Sequence, residues 1–282
     1  DSQLIDMSNL LAIYINGVLQ EPGEAYNFDG GTTFEFTTAP DANDNISVFF
    51  YKGTSSEDIN EIDLEIMEEC YLKHGSPLII IGDSHAMNIH NIFSKSNKFN
   101  FILSIARGGC RPHSPSHLCF YDNFIKFLNN EKYLNPKVIF HQSGSYLIKD
   151  KDNQNEPSLE DEILFDKDNT LSIIKYLNDL SENVENLIWL GPFVEYRVDI
   201  KRSISEIPQI PNINFQKFNF IEEKIIDYIE EDDNFKYINF DSMFKVTPEP
   251  VILECLLWRD ADHFSICGED FISKNSNFSI FK

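Results

Sequence analysis

One stretch, Pro77-Leu-Ile-Ile-Ile-Gly-Asp-Ser-His-Ala86, most constrains what this chain can fold into. Four consecutive apolar residues, three of them β-branched, run directly into Gly82. Unbroken apolar runs of this length are buried on both faces, as in the strands of a parallel sheet. The polar tetrad Gly82-Asp83-Ser84-His85 follows at the expected carboxyl end of that strand, where open α/β sheets assemble their ligand chemistry. Ser84 then occupies a strand-to-helix turn, near amides of the next helix that can stabilise an oxyanion. Gly-Asp-Ser is also ordinary turn chemistry, so the tetrad acquires meaning only with a partner elsewhere in the chain.

That partner is Trp258-Arg-Asp-Ala-Asp-His-Phe-Ser-Ile-Cys-Gly268. A serine nucleophile needs a base, and the base needs an orienting acid. Asp260 and His263 are spaced D-x-x-H, so one short turn can supply both, with Asp262 as a second acid. Taken together, the early Gly-Asp-Ser-His and the late Asp-x-Asp-His-x-Ser resemble the SGNH (GDSL-like) hydrolases. The resemblance is strongest to the SGNH domains fused to membrane O-acyltransferases, over roughly residues 75–282. It implies Ser84 as nucleophile, His263 as general base and Asp260 as its orienter, Asp262 being the fallback acid.

The same resemblance assigns an oxyanion hole. Phe101–Ala106 reads as the next buried strand, ending in Arg107-Gly-Gly-Cys-Arg-Pro112, and paired glycines let a backbone amide approach a ligand. By family position Gly109 donates its amide beside that of Ser84, with Gly108 as second choice. Lys137–His141 reads as a third strand, followed by Gln142-Ser-Gly-Ser-Tyr146. The family places an Asn donor here, and this chain has none, so Gln142 or Ser143 could substitute. Asp83, His85, Arg107, Tyr146 and Arg197 are the candidate substrate contacts, with Glu195, Tyr196 and Arg202 in the same loop as Arg197. His90 is expected near the site entrance.

Two further strands, Asn186–Leu190 and Lys236–Phe240, bring the count of buried strands to five. Helices are expected over 61–73, 85–94, 120–130, 170–185 and 214–231, with a last one from Gly268. Strands alternating with helices describe an α/β three-layer sandwich with a five-stranded parallel sheet. The family resemblance makes it flavodoxin-like. Residues 149–168 are polar and acidic, and read as a solvated excursion or lid.

The first 55 residues read differently, as a small all-β module. Asn16-Gly17 between apolar alternations is a hairpin cue, Asp29-Gly30-Gly31 marks a second hairpin, and Ile46–Tyr51 a closing strand. Gly17, Pro22, Gly23, Tyr26, Pro40, Tyr51 and Gly53 fall on a pattern similar to a β module of bacteriophage tail fibres. That likeness implies a virion setting and a homotrimer. The expected division is therefore 1–55 for the β module, 56–74 for linker and helix, and 75–282 for the hydrolase-like domain.

Composition excludes more than it identifies. A formal net charge of −23 opposes nucleic acid or an anionic membrane surface as partner. No stretch approaches the ~20 apolar residues of a membrane span, and no signal peptide is visible. Cys110 and Cys119 bracket His113 and His117, a donor set conceivable for zinc but on no common zinc spacing. A loop-closing disulfide is favoured, since the related acyltransferase domains carry a similar Cys-x-Pro…Cys loop. Cys255 and Cys267 could form a second bridge. Bridged cysteines would place the protein outside a reducing cytosol, in a virion tail or an extracellular or periplasmic space. No metal or cofactor is expected. The chemistry implied is ester cleavage on an acylated polysaccharide or oligosaccharide. An O-acetyltransferase and a non-catalytic glycan-binding module are the alternatives.

Overall fold

The computed structural model describes residues 11–15, 18–19, 24–28, 34–41, 46–50, 64–114, 119, 121–150, 163–197, 209–231, 233–244, 249–252 and 255–278. The chain divides into two compact units, Asp1–Asp58 and Ile59–Lys282. In the first, β1 (Leu11–Ile15) pairs antiparallel with β2 (Val18–Leu19), and a hairpin joins β3 (Tyr26–Phe28) to β4 (Phe34–Phe36). The fifth strand, β5 (Ile46–Phe50), pairs antiparallel with β1. The expected turns at Asn16-Gly17 and Asp29–Gly31, and the linker before the second unit, lie outside the described residues.

The second unit begins with α1 (Leu64–His74), β6 (Leu78–Gly82), α2 (Ser84–Lys95), β7 (Ile102–Ala106), α3 (Tyr121–Asn130) and β8 (Lys137–His141). It continues through β9 (Ile148–Asp150), β10 (Ile163–Phe165), α4 (Lys167–Ser181), β11 (Asn186–Leu190), α5 (Asn212–Ile226) and β12 (Lys236–Ile238). The end of the chain supplies α6 (Phe240–Met243), β13 (Val251–Ile252), β14 (Cys255–Leu256) and α7 (Ile266–Asn275). Five strands form the central sheet in the order β12-β11-β8-β6-β7, every pairing parallel. Numbered along the chain, this is the 2-1-3-4-5 order of a doubly wound sheet. Leu78 through Ile81 are all buried although alternate residues point to opposite faces, so both faces of the sheet are covered. The helix α2 packs on α7, and Tyr121 of α3 meets Tyr176 of α4 edge to face at 4.9 Å.

The element boundaries differ from the sequence expectation for local reasons. The Asp166 carboxylate accepts the Asn169 amide and starts α4 at Lys167, three residues early. Pro211 precedes α5 directly and sets its start at Asn212. The fifth strand stops at Ile238, and Phe240 instead opens the short α6. The expected excursion over 149–168 is partly ordered, because Ile148–Asp150 and Ile163–Phe165 pair antiparallel. Among the described residues no helix is long and apolar enough to cross a membrane.

The order reverses between β6 and β8, and their carboxyl ends flank the crevice that a doubly wound sheet uses for ligands. Gly82 pairs across to both Ala106 and His141, so the loops leaving β7, β6 and β8 start side by side. The contact is close enough that a Cβ on Gly82 would sit 1.8 Å from the His141 carbonyl oxygen. Replacing Gly82 by Ala should therefore push β6 from β8 and destabilise the fold by about 3 kcal/mol or more, read as a lowered urea midpoint. A midpoint equal to that of the parent protein would contradict the packing described.

Candidate active site

Ser84 opens α2, so its amide is one of the unpaired donors of a helix amino terminus. Asp83 caps that helix by accepting the His85 amide at 2.8 Å. Its other oxygen accepts the Ser143 amide at 2.9 Å, which ties the end of β6 to the loop after β8. Burial pushes the Asp83 carboxyl above its ordinary value, against the opposing pull of His85 and the amides it binds. Asp83 is fully buried, which corrects its expected role: it is a joint of the scaffold and offers nothing to a substrate.

The turn Asp260–His263 reaches the same edge through several anchors. Trp258 bridges to Phe264, the Arg259 amide donates to the His263 carbonyl at 2.8 Å, and Ser265 donates its amide to Leu257 at 2.8 Å. Cys255 and Cys267 are bonded across the base of this hairpin. Under it lie Phe193, Trp258 and Phe264, with ring centroids 4.5 Å apart for Phe193 and Phe264 and 4.6 Å for Trp258 and Phe264. From the side, the Arg197 amide donates to the Ala261 carbonyl at 2.6 Å.

The link to the serine comes from Asn88, one helical turn beyond Ser84. Its side chain donates to the Phe264 carbonyl and accepts the Phe264 amide, both at 3.3 Å, and donates again to Glu269 at 2.7 Å. Phe264 is the residue after His263, so the helix that carries Ser84 grips the backbone that carries the base. Sequence reading missed Asn88. The i, i+4 spacing from Ser84 was visible, but its partner lies 176 residues away.

His263 Nδ1 lies 2.9 Å from Asp260 Oδ1 and 3.1 Å from Asp262 Oδ1. Its Nε2, the atom that would take the serine proton, is buried and has no protein partner among the described residues. The His263 ring is 5.2 Å from that of His85, the neighbour of Ser84. Hydrogen bonding to Asp262, then to Asp260, holds the His263 imidazole above its ordinary value of 6.5 in spite of burial. His85, Asp262 and His263 bring one polar atom each within 4.8 Å of one another, a cluster that hydrogen bonding accounts for, since Asp262 lies 3.1 Å from His263 Nδ1 and 3.4 Å from His85 Nε2.

The other expected site residues divide. Gly109 is exposed with φ +73, a conformation suited to glycine, and its amide has no partner among the described residues. Gln142 is 2 % exposed, and neither polar atom of its side-chain amide has a partner among the described residues. Ser143 is corrected as an oxyanion donor, because its hydroxyl donates to Glu195 at 2.5 Å. Glu195 is fully buried and also accepts from Ser145 at 2.7 Å and from Arg197 Nε at 2.5 Å. Arg197 is thus clamped to Glu195 and Ser145, while Glu195 and Tyr196 face the interior, away from any substrate. His85 is 1 % exposed and stacked on Phe193 at 4.4 Å, which removes it from the substrate surface. Arg107 and Tyr146 remain half-buried at the edge, Tyr146 beneath the Arg111 guanidinium at 3.8 Å. His90 pairs loosely with Asn91 and Ser94 on its own helix, and Arg202 and His117 lie outside the described residues. Cys110 and Cys119 are bonded to each other, so their sulfurs are not zinc ligands. A cavity lined by Pro77, Leu78, Phe99, Phe101 and Phe278 opens at the opposite end of β6 from Ser84.

Comparison with known proteins finds a family match over residues 54–274, to the family described as "SGNH domain (fused to AT3 domains)". No curated protein matches the chain. Among solved structures, a proposed acylhydrolase from Bacteroides fragilis is similar at 13 % identity and TM-score 0.41, over 72 % of this chain and 85 % of that one. An acetylxylan esterase from Geobacillus stearothermophilus is similar at 11 % identity and TM-score 0.37, over 71 % and 92 %. A salicylyl-acyltransferase from a tetracycline biosynthetic pathway is similar at 8 % identity and TM-score 0.37, over 97 % and 73 %. At scores this low, none of the three bears on substrate.

Asn88→Ala should leave the Phe264 amide, the Phe264 carbonyl and the Glu269 carboxylate short of partners. The expected loss is about 1–3 kcal/mol of stability, read by urea unfolding. A variant as stable as the parent would show that the clamp is dispensable.

Proposed function

The chain belongs to the SGNH domain family, and from that premise we propose that it is a serine esterase removing O-acetyl groups from a carbohydrate. One observation carries the reading: Ser84 opens a helix whose own Asn88 grips the Phe264 backbone beside His263, which has Nδ1 on carboxylates and an Nε2 without a partner among the described residues. Ser84 Oγ attacks the ester carbonyl as His263 Nε2 takes its proton, and the tetrahedral oxyanion is received by the Ser84 and Gly109 amides. Collapse expels the sugar alcohol, which takes the proton back from His263 and leaves an acetyl-enzyme. Water, deprotonated by His263 in turn, releases acetate. Gln142, whose side-chain amide has no partner among the described residues, is a candidate third donor in place of the family's Asn.

A second reading is favoured by the family's description as fused to AT3 domains. In it a sugar hydroxyl takes the place of water, and the acetyl group is transferred. Two disulfides support an oxidising setting. The likeness of the first unit to a phage fibre module adds the finer reading of a virion-borne deacetylase.

Hydrolysis of p-nitrophenyl acetate by the purified chain should be abolished in Ser84→Ala and in His263→Ala. Because His263 must be neutral to act, and is held above 6.5, kcat/KM should rise with pH through a midpoint above 6.5. A wild-type rate no better than either variant, on this ester and on acetylated polysaccharide, would remove the esterase reading. Acetate passing to an added glycan in preference to water would replace it with the transferase.

A further inference from the structure

The Asp-x-Asp-His turn presents two carboxylates to one imidazole nitrogen, and the two are held in different ways. Asp260 Oδ1 also accepts the backbone amides of Asp262 at 3.1 Å and His263 at 2.8 Å, and its Oδ2 faces Arg259 at 3.2 Å. Asp260 therefore shapes the turn as well as meeting the ring. Asp262 divides its oxygens between two histidines: Oδ1 lies 3.1 Å from His263 Nδ1, and Oδ2 lies 3.4 Å from His85 Nε2. His85 is 1 % exposed, lies flat on Phe193, and has no partner for Nδ1 among the described residues. A carboxylate only accepts, so Nε2 is the nitrogen that donates. Its one polar contact among the described residues is Asp262.

We propose that Asp262 is a second positioning carboxylate for His263 and that His85 is the buried strut that holds it. The two sequence motifs then form one coupled unit, with Ser84 and His85 on the helix side and Asp262 and His263 on the turn side. The inference rests on His263 acting as the base in the function proposed above. The Nδ1 proton is shared between Asp260 and Asp262 as a three-centre bond and stays on the ring throughout. When Nε2 takes the serine proton, both carboxylates face the new positive charge.

Among the described residues, the turn of His263 itself supplies Asp260 and Asp262 to the ring, and α2 supplies His85, whose other face lies on the apolar Phe193. Behind His85, burial presses His141 down to about 3, so that ring is neutral. Arg259 faces Asp260 from the solvent side. The Asp262 contact is the largest cause raising His263, ahead of Asp260. Burial opposes ionisation of Asp262, yet hydrogen bonds from His263 and His85 hold it far below the usual carboxylate range.

The test is an NMR titration of the His263 ring in a Ser84→Ala background, which requires no turnover. Adding Asp262→Asn should lower the midpoint by about one pH unit. A midpoint within about 0.2 unit of the parent overturns the role of Asp262. Should that variant fail to fold, ¹⁵N shifts of the His85 ring in the folded parent decide: a proton on Nε2 with Nδ1 bare is expected, and the reverse tautomer overturns the strut. With active enzyme, His85→Phe keeps the stack on Phe193 and removes the donor. Its kcat should fall about tenfold with KM within about twofold, and His85→Gln, which retains an N–H donor, should recover part of the loss. An unchanged kcat in His85→Phe overturns the strut. If the midpoint falls while wild type turns over no ester, the Asp262 contact stands and only the esterase reading fails.

Discussion

The turn that carries His263 is tied to the helix that carries Ser84 through a side-chain amide. Asn88 presents a donor and an acceptor to the backbone of Phe264 as a neighbouring strand would, on a helix where no strand could reach. The bonds are individually modest, but they fix a direction as well as a distance. Everything else around the late turn limits how it can move: the disulfide at its base, the aromatic layer beneath it, the Arg197 amide at its side. Asn88, with the His85–Asp262 contact beside it, couples it to the helix of Ser84.

The same logic recurs at the other joints of this edge. Asp83, Glu195 and Glu269 are all buried carboxylates, and none is placed to react. Each is filled by donors from a different segment of chain. Asp83 takes amides from α2 and from the loop after β8, while Glu195 takes hydroxyls from that loop and the guanidinium of Arg197. Glu269 on α7 takes Asn88, Asn91 and Lys95 from α2. Burying a charge is costly unless it is fully paired, so each carboxylate enforces the meeting of the segments that supply its donors. Two imidazoles show the converse, where environment sorts one residue type into different states. His141 is driven down to about 3 by burial, whereas His263, with carboxylates at its Nδ1, is held above 6.5.

Much of this was legible in the sequence, for physical reasons that are local. The apolar run before Gly82 could be satisfied only by burial on both faces, which made a parallel sheet the one economical arrangement. Gly109 could be read from the strand end it follows. The D-x-x-H spacing already contained the Asp260–His263 contact, because three residues span one turn. The expectations that fail do so for the converse reason. Asp83, His85 and Arg197 are expected as substrate contacts and Ser143 as an oxyanion donor, and each has a partner from a distant segment of the chain.

What the sequence determined by itself was therefore the alphabet of the site: a serine at a strand-to-helix turn, a histidine with an acid on its own turn, and five strands to carry them. What only the tertiary structure decided was occupancy. Which carboxylate meets which nitrogen, and which hydroxyl is already spent, depends on segments brought together across the sheet. No local pattern encodes that pairing, since Asn88 and Phe264, or His85 and Asp262, become neighbours only when the carboxyl ends of the strands come into register.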